Sequence, residues 1–277
     1  MSTLRVVSSE GGTSEAELYD AQEPQFAADL AGRSLRPLVV VVAALNEEEA
    51  IGAVLDRVPQ EVCGQAVDVI VVDDGSTDTT TAVARARGVL VSQLPYNRGH
   101  GVALRLGYRL AREHGARYIA TLDADGQYDP VQLPDVVAPL MAGEADFVNG
   151  SRRLGAALTT DRVRKSGVVV FGALLTVLTG RRITDPASGF RAMRAEVTGA
   201  VPQIQPQYQT SELLIGAIMG GFTVVEAPVT MYPRAAGTTK KGRNLVYGAR
   251  FFRVIVETWW RERSRQGVAA SSVKITV

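Results

Sequence analysis

The sequence predicts an α/β protein built on a doubly wound, mostly parallel sheet, and three observations carry that prediction. Leu38 to Leu45 is an unbroken apolar run, as a strand buried on both faces requires. A second run, Val67 to Val72, apolar except for Asp68, follows a stretch with Ile51, Val54, Leu55 and Val58 at helical spacing. Each run then ends in a short polar turn, Asn46-Glu-Glu-Glu49 and Asp73-Asp-Gly-Ser-Thr-Asp78. Strands alternating with helices imply parallel pairing through crossover connections.

Taken in order, Asn46 reads as a helix cap with Glu49 three residues on, opening the first helix. A Thr/Ala-rich helix follows Asp78, then a strand at Val89 to Ser92, a helix from about Gly101 to His114 and a strand at Tyr118 to Leu122. That last strand closes in a third polar turn, Asp123-Ala-Asp-Gly-Gln127. Ligands of open sheets bind outside the carboxyl ends of the strands, so the three turns are expected to meet there. On an extended chain Asp123 and Asp125 point to one side. Such a carboxylate pair suits Mg²⁺ or Mn²⁺ and leaves coordination positions for phosphate oxygens; read alone, the pair also fits an acidic turn that only solvates a loop.

Composition narrows the function. With 277 residues, 46% hydrophobic and 21% charged, the chain is expected to hold one sizeable domain over 37–243 and an amphipathic helix over 244–265. Residues 1–36 and 266–277 read as flexible tails, the first because six acids face two arginines in residues 1–34 with little periodicity. The single Cys63 offers no internal disulfide and Met1 to Glu10 has no apolar leader, so the expected location is cytoplasmic. Only two histidines exist, His100 and His114, which argues against a His/Cys zinc site and a Ser-His-Asp triad. His114 reads as a surface residue, and His100 as a glycine-loop residue or a ligand contact. From Arg234 to Arg265 nine basic side chains face two acids, so a polyanion is expected there, either a phosphorylated ligand or an acidic membrane surface. No nucleic-acid motif accompanies it.

The turns, with four further segments, carry a resemblance. Ala43-Ala-Leu-Asn-Glu-Glu-Glu49, Val71-Val-Asp-Asp-Gly-Ser-Thr-Asp78, Asn97-Arg-Gly-His-Gly101, Leu122-Asp-Ala-Asp-Gly-Gln127, Asn149-Gly-Ser-Arg152, Thr184-Asp-Pro-Ala-Ser-Gly-Phe-Arg191 and Arg234-Ala-Ala-Gly-Thr-Thr-Lys240 occur in this order. Together they resemble the inverting family 2 glycosyltransferases of the GT-A fold, and among them the polyprenyl (dolichyl) phosphate mannosyl- and glucosyltransferases. The resemblance implies transfer of a hexose from GDP-mannose or UDP-glucose to a polyprenyl phosphate. It assigns Ala43, Leu45, Glu47, Asp74, Asp123 and Ala124 to the nucleotide-sugar donor, and Asp123, Asp125 and Gln127 to Mg²⁺ or Mn²⁺. Arg152, Ser188, Arg234 and Lys240 fall to the acceptor phosphate, and Asp125, Arg152, Arg234 and Lys240 to catalysis.

A phosphate monoester is mostly ionised near neutral pH, with a second pKa of about 6, so such an acceptor needs no strong general base. Arginine and lysine are the fitting clamp for it, although Arg234 and Lys240 also fit a solvated basic loop. The alternative is a soluble family member acting on a small hydroxyl-bearing acceptor, with Glu212 or Asp185 as base; Glu212 fits a helix-opening, dipole-complementing role equally well. Ser166 to Gly180 is uncharged between Arg162, Arg164, Lys165 and Arg181, Arg182. It is too short to cross a bilayer core about 30 Å thick. It reads either as a helix resting on the inner face of a membrane or as a helix buried on the sheet. Leu245 to Trp260 is a second apolar segment that fits a bilayer surface, a small membrane subunit or a dimer contact.

Overall fold

The computed structural model describes residues 14–158, 162–205, 207–234 and 244–272, without side-chain detail at 162–165, 244–247 and 266–272. Its first half runs α1 (Glu15–Asp29), β1 (Leu38–Ala44), α2 (Ile51–Asp56), β2 (Glu61–Val62), β3 (Gln65–Asp73), α3 (Thr80–Arg85), β4 (Leu90–Gln93), α4 (His100–Glu113) and β5 (Tyr118–Asp123). After a 3₁₀ turn come α5 (Leu133–Met141), β6 (Phe147–Ala157), α6 (Arg162–Thr179), β7 (Arg191–Arg194), α7 (Ala195–Ala200), α8 (Gln209–Met219), β8 (Val224–Met231) and α9 (Asn244–Ser272).

Every residue of β1 is buried, as its unbroken apolar run requires. It lies parallel to β3 on one side and to β5 on the other. The sheet continues through β7, antiparallel to both β5 and β6, and ends on β8, parallel to β6. β4 extends the other edge beside β3. The period of two along β1 divides the core. Val39, Val41 and Ala43 enter the layer that includes α1, α4, α8 and α9, whereas Leu38, Val40, Val42 and Ala44 enter the layer of α2 and α5. α4 lies close on the sheet because Gly107 has no side chain; a Cβ there would stand 2.5 Å from Val41 Cγ1.

Residues 15–29 correct the expected flexible tail. Ser14 and Glu17 form a reciprocal capping box, and Leu18, Tyr19 and Phe26 are buried in the core. Arg109 lies 3.6 Å over the Tyr19 ring, and His114, expected at the surface, packs under Phe26 at 5.1 Å. The acids that made this segment look like a tail are the solvent side of a helix whose apolar side is core. Residues 266–272, also expected as tail, continue α9. Asn46 does not cap α2, which begins at Ile51 without a side-chain cap. It sits at φ 50° and accepts from Thr77 N at 2.8 Å, tying the first turn to the second.

α6 is buried on one side and exposed on the other, combining the two readings of Ser166 to Gly180. Leu175 is fully buried, while Val169, Val170, Ala173 and Val177 face outward, Val177 at 81% exposure. α9 runs beside it in the same direction, with Phe171 against Phe251 at 4.6 Å and Trp259 Nε1 donating to the Leu178 carbonyl at 2.7 Å. One residue is about 100° of helix rotation. Stepping back from Phe171 and Leu178, and forward from Phe251, therefore puts Val170, Val177 and Phe252 on the same outer face. Among the described residues no helix is long and apolar enough to cross a membrane.

Candidate active site

The strand register brings the three turns together. Ala43 pairs with Val72 and with Asp123, and Ala44 with Asp73, so β1, β3 and β5 end side by side. The first two turns are laced together: Asn46 N donates to Ser76 Oγ and Glu47 N to Thr80 Oγ1, each at 2.8 Å. Glu48 accepts from Thr79 N at 2.9 Å, and Asp73 from Ser76 N at 2.7 Å. These acids spend their oxygens on backbone amides and hydroxyls, which fixes the rim and leaves Glu47 turned toward the third turn.

β5 ends at Asp123, so Asp125 belongs to the turn beyond the strand; the turn, not strand alternation, brings the carboxylates together. The Asp125 side chain is only 9% exposed. Burial, then the Asp123 charge, pushes its pKa up to about 6. Its oxygens accept from Gln127 N at 3.0 Å and pair with Arg234 Nη2 at 2.9 Å. Arg234 Nη1 lies 3.4 Å from Glu47 Oε1, so one guanidinium bridges the first turn and the third. Gln127 holds this arrangement from the other side, its carbonyl accepting from Tyr232 N at 2.7 Å. Ala124, between the aspartates, is buried, and Leu45 is half-buried at the end of β1.

This donor set fits a divalent ion of the Mg²⁺ or Mn²⁺ kind. Among the described residues no group of three or more His, Cys, Asp and Glu forms a cage. Two carboxylates with a side-chain amide make an open, all-oxygen site, the sort such ions use when phosphate oxygens complete the shell. A carboxylate whose proton affinity is raised by burial and by a neighbouring carboxylate also marks a place where positive charge is stabilised.

Other expected residues near these turns are tied into the fold. Asp74 is buried and accepts from Arg98 N at 2.7 Å and Gly99 N at 2.9 Å; burial raises its carboxyl, and in this structure it holds the loop before α4. Ser188, expected at the acceptor, has no exposed surface. Its hydroxyl lies 3.3 Å from Tyr128 OH and accepts from Phe190 N. Arg152 is not an open acceptor clamp: Nε and Nη2 each lie 2.6 Å from the fully buried Asp185 carboxylate. That pairing raises the guanidinium's proton affinity and neutralises its charge. Glu212 is also fully buried, accepting from Ile204 N at 3.0 Å, Gln205 N at 2.9 Å and Arg261 Nη1 at 2.8 Å. Lys240 lies outside the described residues.

Gly75, Gly189 and Arg191 were given no role from the sequence, and His100 was left between a loop role and a ligand contact. Asp74 delivers the loop that places His100 Nε2 4.0 Å from Asp123 Oδ1. Gly75 permits this approach, because a Cβ there would lie 2.6 Å from Asn97 N. Gly189 lies under Asp123, where a Cβ would be 2.6 Å from a carboxylate oxygen, and its carbonyl accepts from Thr121 Oγ1 at 2.6 Å. Arg191 is fully buried, donates to the Ser188 carbonyl and, at 2.6 Å, to the Thr210 carbonyl, and so fastens the segment that carries Gly189. The sequence signal was the Ser-Gly-Phe-Arg run itself. Gly189→Ala is expected to push the Asp123 carboxylate aside. Affinity for Mn²⁺ should fall at least tenfold by titration calorimetry, with a change in Tm of only a few degrees; unchanged affinity would mean that Asp123 moves without consequence.

Comparison with known proteins agrees with this geometry. Residues 39–201 match the sequence model of glycosyl transferase family 2. The chain is 33% identical to a dolichyl-phosphate hexose transferase of Haloferax volcanii, over 82% of this chain and 96% of that protein. It is 29% identical to an undecaprenyl-phosphate mannosyltransferase of Micrococcus luteus, over 76% and 89%. Among solved structures, glucosyl-3-phosphoglycerate synthase from Mycobacterium tuberculosis, in complex with Mn²⁺, UDP-glucose and glycerol 3-phosphate, superposes with a TM-score of 0.63 at 25% identity, over 92% of this chain and 86% of that one. The α/β sheet is thus of the GT-A type, and the chain belongs to glycosyl transferase family 2.

Proposed function

We propose that this glycosyltransferase moves a hexose from a nucleotide sugar to a polyprenyl phosphate, with inversion, at a membrane surface. One observation carries the choice of a phosphate acceptor. A hydroxyl acceptor needs a base, and the two carboxylates expected to serve it, Asp185 and Glu212, are fully buried and paired with Arg152 and Arg261. A phosphate monoester brings its own anionic nucleophile.

In this reading the nucleotide lies across the ends of β1 and β3, beside Ala43, Leu45, Glu47 and Asp74. Asp123, Asp125 and Gln127 would hold Mg²⁺ or Mn²⁺, whose chemistry is to neutralise charge on the departing diphosphate. Inversion follows from a single in-line displacement: an acceptor phosphate oxygen forms a bond to the anomeric carbon as the bond to the diphosphate oxygen breaks. Arg234, bridging Glu47 and Asp125, would stand beside the reacting centre and, with Lys240, meet the acceptor phosphate there. The relatives named for dolichyl and undecaprenyl phosphate support the acceptor class. The outward apolar residues of α6 and α9 support docking on lipid, where the prenyl chain resides.

Incubation with a panel of labelled nucleotide sugars and polyprenyl phosphate, followed by partition into organic solvent, tests the proposal. Extractable label dependent on Mn²⁺ or Mg²⁺ is expected from one sugar nucleotide. Label confined to the aqueous phase with small hydroxyl acceptors would favour the soluble alternative.

A further inference from the structure

The end of α6 far from the carboxylates borders a groove that the transfer reaction does not use. Gly220 and Gly221 lead from α8 to the start of β8, where Val224 pairs with Phe147 at the start of β6. β6 runs parallel to β5, both being antiparallel to β7. The C-terminal end of α8 therefore lies at the opposite end of the sheet from Asp123. A cavity of about 560 Å³ opens there, lined by Leu178, Thr179, Arg181, Ile218, Met219, Trp259 and Arg263.

Its chemistry is amphiphilic. Leu178, Ile218, Met219 and the Trp259 ring supply apolar wall, and the indole N–H is fixed on the Leu178 carbonyl. Arg181 and Arg263 bring two exposed guanidiniums, Arg263 at 5.2 Å over the Trp259 ring. No acidic residue lines the cavity, and neither arginine has an ion pair among the described residues. Trp260, 66% exposed, and Val177 are sequence neighbours of lining residues. Cations at the rim of an apolar slot, on a helix pair with an outward apolar face, complement an anionic amphiphile.

We infer that this groove seats the headgroup of an anionic phospholipid. The inference rests on the membrane reading of the proposed function and gives it an orientation. α6 has 18 residues, about 27 Å at about 1.5 Å per residue. A lipid held at its far end lays the helix along the bilayer with its first turn toward the acceptor side.

The test is co-sedimentation of the full chain with vesicles of phosphatidylcholine alone or containing 30% phosphatidylglycerol, the 30% being roughly a strongly anionic leaflet. Arg181→Gln/Arg263→Gln should weaken partition onto the anionic vesicles by about 25-fold, since one cation near such a surface is worth about fivefold. Arg85→Gln/Arg117→Gln, which removes two exposed arginines elsewhere, should change it less than twofold. Met219→Trp, which fills the groove and keeps both charges, should lose most of the preference for anionic vesicles while melting like the parent. Equal losses from the two double variants, or full binding by Met219→Trp, would overturn the site and leave only diffuse charge attraction. Glycerol phosphate in solution should not compete; competition would identify a soluble phosphate site and overturn the lipid assignment. Transfer to polyprenyl phosphate in detergent is read separately: its survival in the groove variants keeps the proposed reaction apart from the groove, and its absence in the parent counts against the reaction alone.

Discussion

Asp125→Asn is expected to lower turnover by on the order of 10²–10³, the range seen when one group that stabilises developing charge is removed. It is also expected to make the metal-free protein more stable. Burial and the neighbouring Asp123 raise the Asp125 carboxyl from 3.8 to about 6, so the folded chain binds this proton more tightly than the unfolded chain. The stability linked to that proton is complete below the unfolded value and is lost as pH rises through about 6. At pH 7.5 the charged carboxylate therefore costs on the order of 2–3 kcal/mol that an amide does not. With chelator present, the variant should melt several degrees above the parent at pH 7.5 and close to it at pH 5. A lower Tm for the variant at pH 7.5 would mean that the Arg234 pair outweighs burial. Full activity would remove Asp125 from the reaction.

Asp185→Asn should have the largest effect on stability. Asp185 is fully buried against the Arg152 guanidinium, and its loss leaves a cation 16% exposed without its partner. Breaking one side of a buried pair costs about 3–5 kcal/mol, or roughly 6–15 °C in Tm for a chain of this size. Arg152→Met in the same chain should recover much of that loss, because no unpaired charge then remains. Glu212→Gln, facing Arg261 and two backbone amides, should likewise lower Tm with a modest change in turnover per folded molecule. A fall in turnover with Tm intact, for either acid, would mark that residue as a base and revive the hydroxyl-acceptor alternative.

The parallel half of the fold was legible because burial on both faces writes itself as apolar runs, unbroken at Leu38 to Ala44 and interrupted only by Asp68 at Val67 to Val72. The later strands were harder. β6 passes from a buried start to the exposed residues Arg153 to Gly155, and β7 begins and ends on arginine, so neither shows a simple period. α1 was hidden by its acids and by Pro24 inside the helix; only the spacing of Leu18, Tyr19 and Phe26 marked its buried side. In the site, motif spacing identified which residues gather at the strand ends. It did not reveal partners, because pairing depends on chain segments distant in sequence. Arg152 and Asp185 are 33 residues apart, and Arg234 and Glu47 are 187 apart. Position alone therefore assigned Arg152, Ser188 and Arg234 to an acceptor without showing that Arg152 is paired with Asp185, that Ser188 is fully buried, or that Arg234 bridges Glu47 and Asp125.

The most direct test is a comparison of two acceptors that differ by one group, a polyprenyl phosphate and the corresponding free polyprenol, with the same nucleotide sugar and divalent ion. Transfer to the phosphate alone is expected, with a rate nearly independent of pH above about 7, where the monoester is already mostly ionised. Transfer to the free alcohol at a comparable rate would require a base and would contradict a reaction in which the acceptor supplies its own charge.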